Sequence, residues 1–188
     1  MHTNFEIRKT DMPAEMQILL NEYPRDSWDE HPGFKDKTKQ WISAHQMFRD
    51  LGEAIRVETE HFIEKTSSSE NFADSLSRFG NGLVRTLHGH HTWEDRNYFP
   101  ELSMADSRFD AGLEILEKDH ETMDAILINF TETANRVIKL VDLDLEQARD
   151  EAGRLHDVTE AIEGLLQRHL SDEEELAVPI ILHHRLRG

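Results

Sequence analysis

Cysteine is absent from the 188 residues, which removes disulfides, thiolate metal sites and cysteine nucleophiles together. Any metal would have to be held by His and carboxylate. Glycine and proline are sparse, at nine and five residues, beside 37% hydrophobic and 31% charged residues, the balance of a soluble helical protein. Bases are outnumbered: 21 Lys and Arg face 38 Asp and Glu, a formal net charge of −17. Such a chain repels phosphate backbones, so nucleic acid is a poor partner. No run approaches the roughly eighteen apolar residues of a membrane span, and the first turns of sequence mix acids and bases with no apolar leader. A cytoplasmic protein with no membrane contact is expected. The length suits one domain, or a domain with an extension, and a sizeable core.

What is present in quantity is helical periodicity and twelve histidines. Residues 1–34 look like an extension: Phe5 and Ile7 are apolar, Asp11-Met12-Pro13 can start a short helix through Asn21, and Tyr23 to Phe34 is a loop with aromatic anchors. It is expected to cover one end of the main body, residues 35–188. There, Trp41, His45, Phe48, Gly52, Ile55 and Phe62 recur at steps of three and four, the face of a first long helix from about Lys35 to Lys65. The serine run Ser67-Ser68-Ser69 breaks it. A second helix carries Phe72, Leu76, Phe79, Leu83, Leu87, His90 and Glu94, with Pro100 near its end and a connection over 101–109. Its Gly80, Gly82 and Gly89 cost helix propensity but allow close packing. A third helix presents Leu113, Leu116, His120, Met123, Leu127, Phe130, Ala134, Val137 and Val141. After a turn at Leu143 to Leu145 the fourth presents Leu155, Ile162, Leu166, His169, Glu173, Leu176 and Ile180, with Pro179 kinking it or marking its last turns. Four long amphipathic helices with short connections make an all-α, up-down-up-down four-helix bundle.

His90 and Glu94, four apart, share one helix face, and His169 and Glu173 repeat the spacing. The spacing alone says little in so acidic a chain, since His120/Asp124 and His156/Glu160 have it too. Depth in the bundle discriminates better, because antiparallel helices bring residues level when they lie equally far from the connecting turn. The midpoints between His45, the His90/Glu94 pair, His120 and the His169/Glu173 pair fall at about residues 68, 106 and 145, all in connections. His45, His90, Glu94, His120, His169 and Glu173 therefore lie at one depth, on inward faces. Without a metal they would be buried polar groups lacking donors for the acids, at several kcal/mol each. The remaining histidines are assigned to the surface or a supporting role: His156 is about 220° around the helix from His169, His61 is near a turn, His88 and His91 flank His90 off the stripe, His183 and His184 are terminal, His2 is in the tail and His31 is in the loop.

Imidazole and carboxylate without sulfur suit iron, manganese or zinc. Two carboxylates and at least four His exceed the needs of one tetrahedral ion, and bridging carboxylates naturally hold two. A ferritin-like site would need Glu-x-x-His on two helices at one level, but Glu58/His61 and Glu117/His120 fall at opposite ends. The lone His45 of Trp-Ile-Ser-Ala-His, the His90-x-x-x-Glu94 run ending in Phe-Pro and the His169-x-x-x-Glu173 run ending in Val-Pro together resemble the hemerythrin family, in its bacterial form with the His-His-Glu cation-binding signature, over about residues 35–185.

That resemblance implies two non-haem iron ions, His45 and His90 on one, His120 and His169 on the other, Glu94 and Glu173 bridging. It implies dioxygen, or a related small oxidant such as peroxide or nitric oxide, as the ligand, with a peroxide-consuming enzyme or an iron- or oxygen-sensing module as alternatives. Two departures stand out. Oxygen-carrying members have a second helix-three His where this chain has Asp124, so either Asp124 ligates or that iron keeps an extra open position. Their fourth-helix acid also lies five residues past its His, which would select Glu174, whereas the spacing of the second helix selects Glu173. Iron–sulfur repair relatives carry an N-terminal cysteine pair that is absent here.

Overall fold

The computed structural model describes residues 7–186; Phe5 and His2 lie outside them. Four long helices carry the fold: α2 (Asp36–Ile63), α3 (Ser69–Trp93), α5 (Asp110–Leu143) and α6 (Leu145–His184), with two short ones, α1 (Ile18–Glu22) and α4 (Phe99–Ala105). Each long helix packs on two others, α2 on α3 and α6, α5 on α3 and α6, which closes an up-down-up-down bundle. There are no strands among the described residues, and none of their helices is long and apolar enough to cross a membrane.

The ends of these helices follow local chemistry. Ser68 caps α3 by accepting from the Asn71 backbone N–H at 3.2 Å. Asp144 alone separates α5 from α6, in an extended conformation, and its side chain accepts from Gln147 N at 3.0 Å. The expected loop over 101–109 is largely helical instead. α3 runs into one wide turn, Glu94–Tyr98, closed by a hydrogen bond from Phe99 N to Glu94 O, and continues as α4 before Asp106 breaks the chain. Pro100 has no N–H and its ring crowds the carbonyl four residues back, so a wide turn accommodates it where a regular α-turn would not. Pro179 does not stop α6, which continues to His184.

Two apolar clusters fill the bundle. One runs from Phe48 on α2 through Leu87, Met123 and Leu170 to the far end at Phe62 and Phe72. The other joins Trp41, Tyr98, Phe99, Leu116 and Leu176 to Met12, Met16, Leu19 and Trp28 of the N-terminal extension, which thus covers this end of the bundle. On every long helix the candidate residues fall at the seam between the clusters: His45 between Trp41 and Phe48, His90 and Glu94 between Leu87 and Tyr98, His120 between Leu116 and Met123, His169 and Glu173 between Leu166 and Leu176.

The three α3 glycines differ. Only at Gly80 would a Cβ meet a neighbour, the Phe130 ring at 3.1 Å; at Gly82 and Gly89 it would meet open space. Packing therefore explains the first and not the others. Gly82→Ala and Gly89→Ala should each stabilise the protein by about 0.5–1 kcal/mol, whereas Gly80→Ala should lose that gain to displacement of Phe130; urea denaturation of the three variants would show it.

Candidate metal centre

The seam holds two clusters of donor atoms. His45, His90, Glu94 and Glu173 form one, and His91, His120 and His169 the other, with the donor atoms of each within 4.8 Å of one another. In the first, the Nε2 atoms of His45 and His90 stand 3.0 Å apart. In the second, those of His120 and His169 stand 3.1 Å apart. The carboxylates lie between. Glu94 turns Oε1 to His90 Nε2 at 2.7 Å and Oε2 towards His120 Nε2 at 3.8 Å. Glu173 Oε2 is 3.5 Å from His45 Nε2 and 3.9 Å from His169 Nε2.

Six of the seven residues expected from the sequence are thus brought together. Asp124 is not: it sits at the bundle surface, where its carboxylate meets His88 Nδ1 at 3.1 Å. The inward stripe of α5 goes from His120 to Met123 and Leu127, and a residue four past His120 has turned about 40° towards the margin facing α3. His91, assigned above to a peripheral role, occupies the interior instead. It is 3% exposed, stacks on His120 with ring centroids 4.0 Å apart, and approaches His169 edge-on at 5.4 Å. α3 packs against both α2 and α5, so two consecutive residues about 100° apart serve two different neighbours: His90 faces His45 and His91 faces His120. The adjacency His90-His91 was the available signal.

Behind most imidazoles stands a carboxylate. His45 Nδ1 lies 3.0 Å from Glu174 Oε1, which also accepts from both terminal nitrogens of Arg49 at 3.1 Å, while Arg25 holds Oε2 at 2.6 Å. Glu174, the rival for the helix-four position, is thereby engaged from the outside, and Glu173 points inward. His120 Nδ1 meets Asp95 Oδ1 at 2.7 Å. His169 Nδ1 faces Asp119 Oδ2 at 3.7 Å, and Arg8 holds that oxygen at 2.9 Å. Such backing carboxylates orient imidazoles and raise their basicity towards a metal.

Several buried atoms remain without a hydrogen-bond partner: Glu94 Oε2, both Glu173 oxygens and both His91 nitrogens. Burial and the charge of Glu94 push the Glu173 carboxyl well above the usual carboxylate range. Burial also pushes Glu94 up, but His45 and His90 beside it outweigh that effect and hold the carboxyl well below. Without a cation, Glu173 is the member of the pair on which burial favours the neutral form. Orphaned oxygens and imidazole nitrogens converging in a dry layer fit hard or borderline cations with mixed oxygen and nitrogen ligation.

The fold and this layer define a helical-bundle protein that binds metal through His and Glu. Residues 36–181 match the model of the hemerythrin HHE cation binding domain, and the chain belongs to that family. No curated protein and no solved structure gives a significant match.

Burial lowers the His169 imidazole from 6.5 to about 4, and His91 moves the same way for the same reason. A histidine with a depressed value in the folded state stabilises the fold above its unfolded value and loses that contribution as pH falls towards the folded one. The metal-free protein should therefore lose up to about 3 kcal/mol through His169 between pH about 6.5 and about 4. Denaturation across that window would measure it, and the slope should flatten in His169→Gln; an unchanged slope would contradict the assignment.

Proposed function

We propose that the protein is a non-haem di-iron protein that binds dioxygen, or a related small oxidant such as peroxide or nitric oxide, inside the bundle. The observation that carries this reading is the pair of donor clusters with two carboxylates reaching both. His45 and His90 would hold one iron and His91, His120 and His169 the other, with Glu94 and Glu173 shared. Iron bound there would supply reversible redox change and an affinity for diatomic ligands and peroxide.

The chain's own residues set the terms of that chemistry. The cluster with two imidazoles has one nitrogen donor fewer than the cluster with three, so with the carboxylates shared it is the half that would leave room for a small ligand. Around it the surfaces are aromatic: Phe48 lies against His90 with centroids 5.0 Å apart, and Trp41 against His45 at 4.3 Å. These rings keep bulk water from the carboxylates. Trp41 donates its indole N–H to Glu94 Oε1 at 2.6 Å and fixes which lone pairs of that oxygen remain for a cation. Glu174, Asp95 and Asp119 hold the imidazole planes. Metal entry displaces any proton held by the carboxylates and imidazoles, so affinity rises with pH.

Protein from iron-replete cells should carry two irons per chain, and the reduced form exposed to oxygen should develop a ligand-to-metal charge-transfer band. Zinc or nickel in the site despite available iron, or no spectral change with both irons present, would contradict the reading. His91→Ala should lose iron from one half while Asp124→Ala retains both; the reverse pattern would return Asp124 to the ligand set.

Glu173→Gln separates stability from binding. Because burial favours the neutral form of Glu173 in the metal-free fold, the isosteric amide should change metal-free stability by less than about 1 kcal/mol. The rise in melting temperature on adding ferrous iron should nevertheless largely vanish. Thermal melts with and without metal test both halves of the statement.

A further inference from the structure

Trp93 is 48% exposed, while the next residue, Glu94, is fully buried; the other two tryptophans, Trp28 and Trp41, are 3% and 8% exposed. Its ring nonetheless has a buried partner. Trp93 stacks on Tyr98 with centroids 5.3 Å apart and planes inclined by 26°. Tyr98 meets Trp41 edge-on at 5.3 Å. Trp41 in turn meets His45 at 4.3 Å and donates to Glu94 at 2.6 Å. An unbroken file of aromatic rings thus runs from two of the candidate ligands to water.

The wide turn makes this file possible. Residues five apart on a regular α-helix point about 140° away from each other. With the turn at Glu94–Tyr98 closed by a bond from residue 99 to residue 94, Trp93 and Tyr98 come to the same side. The Tyr98 hydroxyl is buried and has no hydrogen-bond partner. An oxidised tyrosine must give up its phenolic proton, and no acceptor is placed to take it, so this ring is a bridge and not a resting place for the missing electron. Trp93 differs, because its exposed indole can lose a proton to water.

We propose that Trp93, Tyr98 and Trp41 conduct single electrons from the surface to the buried centre, giving the protein a peroxide-reducing activity that draws on an external thiol. This rests on the reading of the centre as an iron site. Hydrogen peroxide accepts two electrons and two protons to become two waters. Each electron leaves Trp93, passes Tyr98 and Trp41, and enters the centre, while the oxidised Trp93 indole releases its N–H proton to solvent. A thiol then returns a hydrogen atom to the neutral Trp93 radical. Two rounds supply both electrons, the two released protons match those consumed, and the two thiyl radicals couple, so that H2O2 + 2 RSH becomes 2 H2O + RSSR.

The test is peroxide treatment of the iron-loaded protein without thiol, with freeze-quench electron paramagnetic resonance and mass-spectrometric mapping of oxidised tryptophan. A tryptophan radical and oxidised Trp93 are expected. The radical should vanish in Trp93→Phe, which keeps an aromatic ring against Tyr98. Tyr98→Leu should reduce Trp93 oxidation to the level of the iron-free protein, while Tyr98→Phe, which keeps the ring, should retain it. Equal Trp93 oxidation in iron-free protein or in Tyr98→Leu would overturn the proposal, as would peroxide consumption with no protein radical. The iron spectrum separates the two readings. Iron that responds to peroxide while Trp93 stays intact overturns the electron path alone, whereas a chain that takes up no iron overturns both.

Discussion

Two carboxylates meeting in a dry layer are the constraint on which the remainder of the structure turns. Glu94 and Glu173 are both fully buried, and three of their four oxygens lack a hydrogen-bond partner. Two carboxylates in such a place cannot both ionise without a counter-charge. Burial lowers His169 and His91, so neither of these supplies it. A metal cation would compensate both carboxylates and engage the imidazoles at the same time. Apolar clusters above and below the layer make the compensation effective, since they exclude the water that would otherwise screen it.

The N-terminal extension takes part in this balance. Beyond burying Met12, Met16, Leu19 and Trp28 over the end of the bundle, it delivers two guanidinium groups to the acids behind the histidines. Arg8 reaches Asp119 and Asp172, and Arg25 reaches Glu174. The contact with Glu174 helps to bring its carboxyl down to about 2, because ion pairing and the hydrogen bond with His45 outweigh the cost of burying it. A fully ionised Glu174 pulls on His45 Nδ1–H and leaves Nε2 as the electron-rich face of the ring. In a chain with a formal charge of −17, these few arginines stand where negative charge is concentrated.

Most of the bundle was legible because its helices are long and strictly periodic, and because equal distance from a turn fixes depth. His45, His90, Glu94, His120, His169 and Glu173 follow from those two facts alone. His91 did not, since a single inward stripe per helix is too narrow a description for α3, which has neighbours on both flanks. Asp124 stands apart from the clusters for the complementary reason. Its spacing from His120 imitates that of Glu94 from His90, but on α5 the stripe continues at Met123, and Asp124 falls to the margin beside His88. Outer partners such as Asp95, Asp119 and Glu174 carry no sequence signal at all in so acidic a chain, because only the assembled bundle says which acid stands behind which imidazole.

The wide turn after Trp93 shows how one residue's worth of irregularity can serve several ends. A regular helix would carry either Tyr98 or Phe99 inward at that level; here both are buried, at 5% and 1% exposure. Phe99 lies flat against His120 with planes inclined by 17°, while Tyr98 closes on Trp41 and Trp93. Glu94, at the head of the turn, keeps the four-residue spacing to His90 and also gives its carbonyl to Phe99 N. Wide turns of this kind weaken a helix locally and persist where the altered register has a use. In this chain that use is visible on both sides of the turn. One face supports an imidazole of the three-histidine cluster, and the other aligns the aromatic rings that connect the two-histidine cluster to the surface.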